Sequence, residues 1–233
     1  MTGSGAPLAD HVYFYGDDRL EGILEKPGAA GPSDDSIGDM LGGVVVAHPH
    51  PLYGSTMAQP LVYRIAQACR DHRMATLRFN FRGVGKSLGR YHGVDEYKDV
   101  ETAATFLRGN LGPGVPLALA GYSFGSVMTA MAAGGPTPVE ALALVAFVVA
   151  WEGMPDDALA TLRNFRGPVL AVCGELDDMA PPELVDAVLR DLKLDLRLTV
   201  IPDADHFFGG RHQEVGGLVA QFLEGAFRST RTL

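Results

Sequence analysis

The chain has 233 residues, of which 47% are hydrophobic and 20% are charged, and its formal net charge is −9 at pH 7. This length suits one domain, and the apolar share supports a sizeable core and excludes global disorder. The negative charge argues against nucleic acid or an anionic membrane as a partner, although it does not select a substrate. We therefore expect a single domain over residues 1–233.

The amino-terminal residues and the apolar runs bear on location. The first residues have neither a basic start nor an apolar h-region, so we expect no secretory signal peptide. The longest apolar run, Ala141 to Trp151, is shorter than the ~18 residues that a membrane-spanning helix needs. Cys69 and Cys173 lie in apolar patterns without C-x-x-C spacing, so we expect core residues and not a metal or redox pair. These features indicate a cytoplasmic protein.

The first elements along the chain are predicted to be strands. Two short apolar runs, 12–15 and 20–24, flank Gly16-Asp17-Asp18 and predict a hairpin at a sheet edge. Residues 28–42 are rich in Gly, Asp and Ser and predict a surface loop. The entirely apolar run 43–47 predicts a buried strand of the kind found in parallel sheets.

A helix, a strand and a second helix are predicted next. The helix covers 57–71, with Ser55 or Thr56 as its N-cap. A strand over 74–81 follows, and apolar residues at helical spacing predict a helix over 95–111.

The pentapeptide Gly121-Tyr122-Ser123-Phe124-Gly125 stands between an apolar run, 115–120, and a small-residue helical stretch, 126–133. Strand, G-x-S-x-G and helix in this order form a nucleophile elbow, a tight turn that exposes the serine at the carboxyl end of a strand. The two glycines remove Cβ atoms that would collide with neighbouring elements. A G-x-S-x-G match alone is common by chance, so an ordinary glycine-rich turn is the alternative interpretation.

The rest of the chain continues the alternation of strands and helices. This pattern predicts an α/β fold with a mostly parallel central sheet covered by helices on both faces. The predicted elements are a strand over 141–151, a helix within 155–165, a strand over 169–173, a helix over 181–192, a strand over 196–201 and a helix over 215–227.

Two further residues complete a possible hydrolytic site with Ser123. Ligands in open α/β sheets lie at the carboxyl ends of the strands. Asp177 follows the predicted strand that ends at Cys173, and His206 follows the strand that ends at Ile201. The order serine, aspartate, histidine is the chain order of the α/β-hydrolase triad, which is much harder to obtain by chance than the pentapeptide alone.

The whole chain resembles the α/β-hydrolase superfamily from about residue 10 to 228. More narrowly, it is similar to small cap-less bacterial serine hydrolases in three stretches: an H-P-H-P-x-x-G-G/S-T-M loop at 48–57, an R-F-N-F-R-G-x-G-x-S-x-G segment at 78–89, and D-H-F-F at 205–208. Ser55 stands where many relatives have a second glycine. The resemblance implies an α/β-hydrolase fold without a substantial cap domain.

The chemistry of the triad assigns a role to each residue. Ser123 would attack a carbonyl carbon, His206 would take and return the proton, and Asp177 would hold the imidazole tautomer. Asp178 is a competing acid, but the family pattern G-x-x-D selects Asp177. Asp203 and Asp205 are predicted to be turn residues.

An oxyanion hole requires two backbone N–H donors. Phe124, the residue after the nucleophile, is predicted to supply one. The resemblance places the other at His50, two residues after His48, while Leu52 and Tyr53 are alternatives because proline has no N–H. Tyr53 and Trp151 are candidates for lining the substrate pocket, with plain packing as the equal alternative.

Two clusters suggest cofactors but have simpler interpretations. His48 and His50 lack a third ligand at suitable spacing, so we expect no metal there. Gly83-Val84-Gly85 lacks the third glycine of a dinucleotide fingerprint and no helix begins there. We expect this loop to brace the site, with Arg82 in a buried polar contact, and we expect no cofactor.

The predicted activity is that of a serine carboxylesterase acting on small or exposed acyl esters. Residues 152–167 leave room for a short helix but no cap, so the site should be open. The alternatives are an acyl thioesterase and a serine peptidase of the prolyl-oligopeptidase type. The expected partner is a small ester or thioester, without nucleic acid or membrane, and a homodimer is one of the oligomeric states that the sequence allows.

Overall fold

The computed structural model describes residues 9–27, 40–149, 154–155 and 157–230. The described strands form one eight-stranded sheet with the order β1-β2-β4-β3-β5-β6-β7-β8. The strands are β1 (Ala9–Tyr15), β2 (Arg19–Glu25), β3 (Gly42–Ala47), β4 (Met74–Phe79), β5 (Leu117–Tyr122), β6 (Ala141–Val145), β7 (Pro168–Gly174) and β8 (Asp195–Ile201).

The sheet is parallel from β4 to β8 and antiparallel at one edge. Strands β1 and β2 form the predicted hairpin, and β2 pairs antiparallel with β4. In the parallel part Ala47 lies opposite Gly121, so the loops that follow β3 and β5 leave the sheet side by side. This register places the residues after β3 next to the elbow.

Helices cover both faces of the sheet. One apolar core contains residues of α2, α3 and α4, and a second core on the other face contains residues of α1 and α5. Cys69 and Cys173 are free thiols buried in these cores, as predicted. Within the described residues, no helix is both long enough and apolar enough to cross a membrane. The helices are α1 (Pro60–Asp71), α2 (Tyr97–Asn110), α3 (Phe124–Ala132), α4 (Pro182–Asp191) and α5 (His212–Thr230).

The start of α1 differs from the prediction. The helix begins at Pro60, and Gln59 is its N-cap, because the Gln59 side-chain oxygen accepts hydrogen bonds from the N–H groups of Leu61 and Val62. The predicted caps, Ser55 and Thr56, lie before the helix. Proline at the first helical position has the φ angle that a helix requires and no N–H to satisfy, which fixes the start here.

The connection between β6 and β7 also differs from the prediction. Strand β6 ends at Val145, since Ala146 has φ +47° and turns the backbone out of the sheet. The predicted helix within 155–165 is replaced by turns and a 3₁₀ helix, Leu162–Asn164. The hydrogen bonds here span three residues, as from Ala160 N–H to Asp157 O at 2.8 Å in the turn and from Phe165 N–H to Leu162 O at 3.0 Å in the 3₁₀ helix. The whole connection, residues 146–167, is too short for a cap domain.

The prediction of a surface loop over residues 28–42 is wrong for the last three residues, 40–42. Met40 and Leu41 are buried, and Gly42 begins β3. A Cβ atom at Gly42 would collide with the ring of Phe227, so the backbone here packs directly against α5. Residues 28–39 lie outside the described residues.

Candidate active site

The elbow forms between β5 and α3, as its sequence predicts. Ser123 has φ +54° and ψ −122°, a left-handed conformation that non-glycine residues rarely adopt and that occurs at functional turns. A Cβ atom at Gly121 would collide with the backbone of Gly125, and one at Gly125 would lie 2.5 Å from the carbonyl oxygens of Ala47 and His48. The turn therefore requires glycine at both positions.

The three predicted triad residues lie within hydrogen-bond distance of one another. The His206 Nε2 atom is 2.9 Å from the Ser123 Oγ. The His206 Nδ1 atom is 2.9 and 2.8 Å from the two carboxylate oxygens of Asp177. All three residues are buried, with Ser123 the most accessible at 8% exposure. An imidazole that donates from Nδ1 to a carboxylate presents Nε2 as the acceptor for the serine hydroxyl.

The loops after β7 and β8 hold Asp177 and His206, the predicted acid and base. The Asp177 Oδ1 atom accepts hydrogen bonds from the N–H groups of Met179 (3.0 Å) and Ala180 (2.8 Å), so the backbone of its own loop holds the carboxylate in place. Asp178 is exposed and makes none of the hydrogen bonds of this network. The Tyr122 hydroxyl donates to the carbonyl oxygen of His206 at 3.0 Å, and burial raises the pKa of this phenol, which stays protonated.

The two other acidic residues near His206 are turn residues, as predicted. Asp203 has φ +55°, and Asp205 accepts the N–H of Phe207 at 3.0 Å through its side chain. Both are exposed.

His48 is fully buried where β3 ends. Its Nδ1 donates to the carbonyl oxygen of Pro49 at 2.6 Å, and its Nε2 accepts the N–H of Phe81 at 3.2 Å. Burial lowers the pKa of His48 from 6.5 to about 4, despite the opposing hydrogen bond to Pro49, so the imidazole is neutral. Both ring nitrogens are engaged within the protein, which ties the loop after β3 to the loop after β4.

His50 differs from the other oxyanion candidates of its loop. The Leu52 N–H donates to the His50 ring at 3.2 Å, and the Tyr53 N–H donates to the His50 carbonyl at 3.2 Å. The backbone N–H of His50 has no acceptor among the described residues. The centroid of the His50 ring lies 4.9 Å from that of Phe124, the first residue of α3, so the side chains of the two residues predicted to supply donors are in contact.

Comparisons with known proteins identify the family and support the fold. A family profile described as an alpha/beta hydrolase domain matches residues 43–230. An alpha-beta serine hydrolase homologue from Coxiella burnetii has a TM-score of 0.77 and 32% identity, covering 92% of this chain and 97% of that one. A serine hydrolase without a lid from Xanthomonas campestris has a TM-score of 0.77 and 25% identity, covering 93% and 94%. An uncharacterised protein of Rickettsia prowazekii (strain Madrid E) is 27% identical over 230 residues, 91% of this chain and 87% of that protein.

The chain belongs to the α/β-hydrolase family.

Buried polar side chains on β4 and just after it brace the site of this α/β hydrolase. Arg82 donates from its N–H, Nε and Nη2 atoms to the carboxylate of Asp99 over 2.6–3.1 Å, the buried polar contact that the sequence predicts. The Asn80 Oδ1 atom accepts the N–H of Met57 at 2.8 Å, and the Arg78 Nη1 atom donates to the carbonyl oxygen of Met57 at 2.9 Å. Arg78 and Asn80 therefore fix the backbone that leads from the β3 loop into α1, and Arg82 joins the loop after β4 to α2.

Exposed apolar side chains follow four strands of the sheet, β3, β4, β7 and β8, and we call them the apolar rim. They lie on loops at the carboxyl edge of the sheet and are between 48% and 83% exposed. Tyr53, predicted to line the pocket, is the most exposed of them, and its ring contacts His50 at 4.9 Å. Trp151 lies outside the described residues. The members of the rim are Leu52, Tyr53, Leu88, Leu176, Met179 and Phe207.

One residue of the site was missed from the sequence. The Tyr91 hydroxyl lies 2.8 Å from the His50 Nε2 atom, and the Tyr91 ring is 5.9 Å from that of Phe124. A tyrosine flanked by Gly89 and Gly93 in a loop at the carboxyl edge of the sheet was the available signal. The pairing itself joins residues 41 positions apart and has no local sequence pattern.

Proposed function

We propose that this α/β hydrolase is a serine carboxylesterase that acts through an acyl-enzyme intermediate. The observation that carries the proposal is the continuous chain of hydrogen bonds from Ser123 through His206 to Asp177. A neutral hydroxyl is a weak nucleophile, and this arrangement supplies the adjacent base that activates it. The third group orients the base, as a triad requires.

In the proposed acylation step, His206 Nε2 takes the hydroxyl proton while Ser123 Oγ forms a bond to the carbonyl carbon of the ester. The carbonyl π electrons move to oxygen, and the backbone N–H groups of Phe124 and His50 stabilise the resulting oxyanion. When the intermediate collapses, the C–O bond to the alcohol breaks and His206 protonates the departing oxygen. Water repeats the sequence on the acyl-enzyme and releases the acid.

Preorganised donors aimed at the developing negative charge supply much of the rate in such sites, about 3–4 kcal/mol for each donor. Phe124 begins α3, so its N–H also lies at the positive end of the helix dipole. His50 is favoured over Leu52 and Tyr53 because the N–H groups of these two residues are already bound within the loop.

The apolar rim and the short β6–β7 connection support apolar esters that reach the serine from an open surface. Exposed apolar side chains grouped in one place mark binding surfaces. Met179 and Phe207 follow Asp177 and His206 closely in the chain, so an acyl or alcohol group bound to Ser123 would lie against them. The expected partner is a small-molecule ester, and a thioester is the alternative substrate.

The test is steady-state hydrolysis of p-nitrophenyl esters and matched acyl thioesters of two to twelve carbons, beside the Ser123→Ala variant. We expect ester hydrolysis in the wild type and none in the variant. We also expect a fluorophosphonate probe to label the wild type but not the folded variant. Faster thioester turnover would replace the carboxylesterase assignment by thioesterase, and labelling that persists in Ser123→Ala would refute the nucleophile.

A further inference from the structure

The His50 ring is enclosed by aromatic side chains. Ring centroids of Tyr53, Tyr91 and Phe124 lie 4.9, 5.1 and 4.9 Å from that of His50. Among these neighbours, Tyr91 alone makes a side-chain hydrogen bond to the imidazole that the structure shows, at 2.8 Å from Nε2. The Tyr91 hydroxyl therefore holds the Nε2 side of the ring.

The hydrogen bonds define the tautomer of His50. The Leu52 N–H donates to Nδ1, so Nδ1 carries a lone pair and no proton. A neutral imidazole then carries its proton on Nε2 and donates it to the Tyr91 oxygen. Burial lowers the pKa of His50, which agrees with a neutral ring.

Tyr91 is itself held by a buried carboxylate. Glu96 is fully buried and accepts the N–H groups of His92 at 2.6 Å and Gly93 at 3.0 Å. These are the two residues that follow Tyr91, so Glu96 fixes the backbone from which the phenol projects. The hydrogen bonds to Glu96 thus hold the loop after β4 in place where Tyr91 contacts His50 of the loop after β3.

We propose that Tyr91 is a positioning residue that fixes the His50 ring and, through it, the backbone N–H of His50 that donates to the oxyanion. This inference rests on the proposed function. The ring of His50 is joined to its own loop by the Leu52 N–H, so a ring held in place holds the 50–52 backbone in place. Loss of the Tyr91 hydroxyl would leave the ring with its aromatic contacts and its bond to the Leu52 N–H, but without a polar contact to the loop after β4.

A competing role is direct contact between the Tyr91 hydroxyl and the substrate. The two roles differ in kinetics. A group that only positions an oxyanion donor stabilises the transition state and affects kcat, whereas a contact made equally in the ground state affects KM.

The first experiment compares Tyr91→Phe with the wild type and with Tyr97→Phe, a control that removes a tyrosine hydroxyl six residues away at the start of α2. We expect Tyr91→Phe to lower kcat about tenfold at unchanged KM. The inhibition constant of a trifluoromethyl ketone, whose adduct carries the oxyanion, should rise by the same factor. Tyr97→Phe should match the wild type. Equal kinetics in the two variants, or a loss confined to KM, would overturn the positioning role.

The second experiment does not depend on activity. Hydrogen exchange of the Leu52 amide, followed by NMR in the unliganded protein, reports on the bond to the His50 ring. We expect exchange several-fold faster in Tyr91→Phe and unchanged in Tyr97→Phe. Unchanged exchange in Tyr91→Phe refutes the anchor even in an active enzyme. Absence of fluorophosphonate labelling in the wild type would instead refute the proposed function.

Discussion

Acid should destabilise this protein through one buried histidine. His48 is fully buried, and its Nε2 must remain unprotonated to accept the Phe81 N–H. The pKa of His48 is about 4 in the folded chain, against 6.5 for an ordinary histidine. An unfolded chain therefore binds a proton at this residue at a pH where the folded chain does not.

The sign and size of the effect follow from linkage. Above pH 6.5 His48 is neutral in both states and contributes nothing to the pH dependence. As the pH falls from 6.5 towards 4, protonation stabilises the unfolded chain, and below about 4 the loss stops growing. A shift from 6.5 to about 4 corresponds to about 3 kcal/mol of unfolding free energy, most of which is lost by pH 4.5.

The assay is urea unfolding followed by circular dichroism at pH 7 and pH 4.5, in the wild type and in His48→Gln. Glutamine can donate to Pro49 and accept from Phe81 but does not titrate. The quantity compared is the change in unfolding free energy between the two pH values, taken within each protein. Any stability that glutamine loses through an imperfect fit is present at both pH values and cancels, as does the titration of carboxylates, which both proteins share.

We expect the wild type to lose about 2–3 kcal/mol more than His48→Gln between these pH values. A His92→Gln variant, which removes an exposed histidine, controls for the loss of a histidine as such. Equal losses in the wild type and His48→Gln would refute the reasoning, because His48 would then not be the neutral buried group described here.

Two further predictions concern the triad and the elbow. Asp177→Asn should lower the turnover of p-nitrophenyl butyrate roughly 10⁴-fold, because asparagine favours the wrong tautomer of the His206 imidazole. Asp178→Asn should retain the turnover of the wild type. The reverse result would assign the acid to Asp178. Gly125→Ala, with its Cβ 2.5 Å from two carbonyl oxygens, should lose about 1–3 kcal/mol in thermal unfolding. Gly109→Ala, within α2 and facing open space, should gain up to about 1 kcal/mol, and equal effects at the two glycines would contradict the packing described.

The sequence was sufficient for the alternating fold and for the positions of Ser123, Asp177 and His206. Buried parallel strands have an unambiguous apolar pattern, and ligands of such sheets lie past the carboxyl ends of the strands, so three polar residues at those points were informative. The roles proposed for them remain predictions.

Features that depend on distant contacts were not predictable in the same way. The Tyr91–His50 bond joins two loops with no shared local pattern. The end of β6 at Val145 was missed because the apolar run continues beyond it, and the turn at Ala146 depends on its backbone conformation. The cap of α1 was misplaced because Gln59 is an unusual N-cap beside the favoured Ser55 and Thr56.

The position of β8 makes His206, the predicted base, the most easily displaced of the three residues proposed as the triad. Among the described strands, β8 has β7 as its single neighbour, and most of its residues are not buried. Opening of an edge strand costs less than global unfolding, so His206, which follows β8, can leave Ser123 while the rest of the sheet is intact. The hydrogen bond from the Tyr122 hydroxyl to the His206 carbonyl joins β5, in the middle of the sheet, to the loop after β8. This bond opposes the separation of His206 from Ser123.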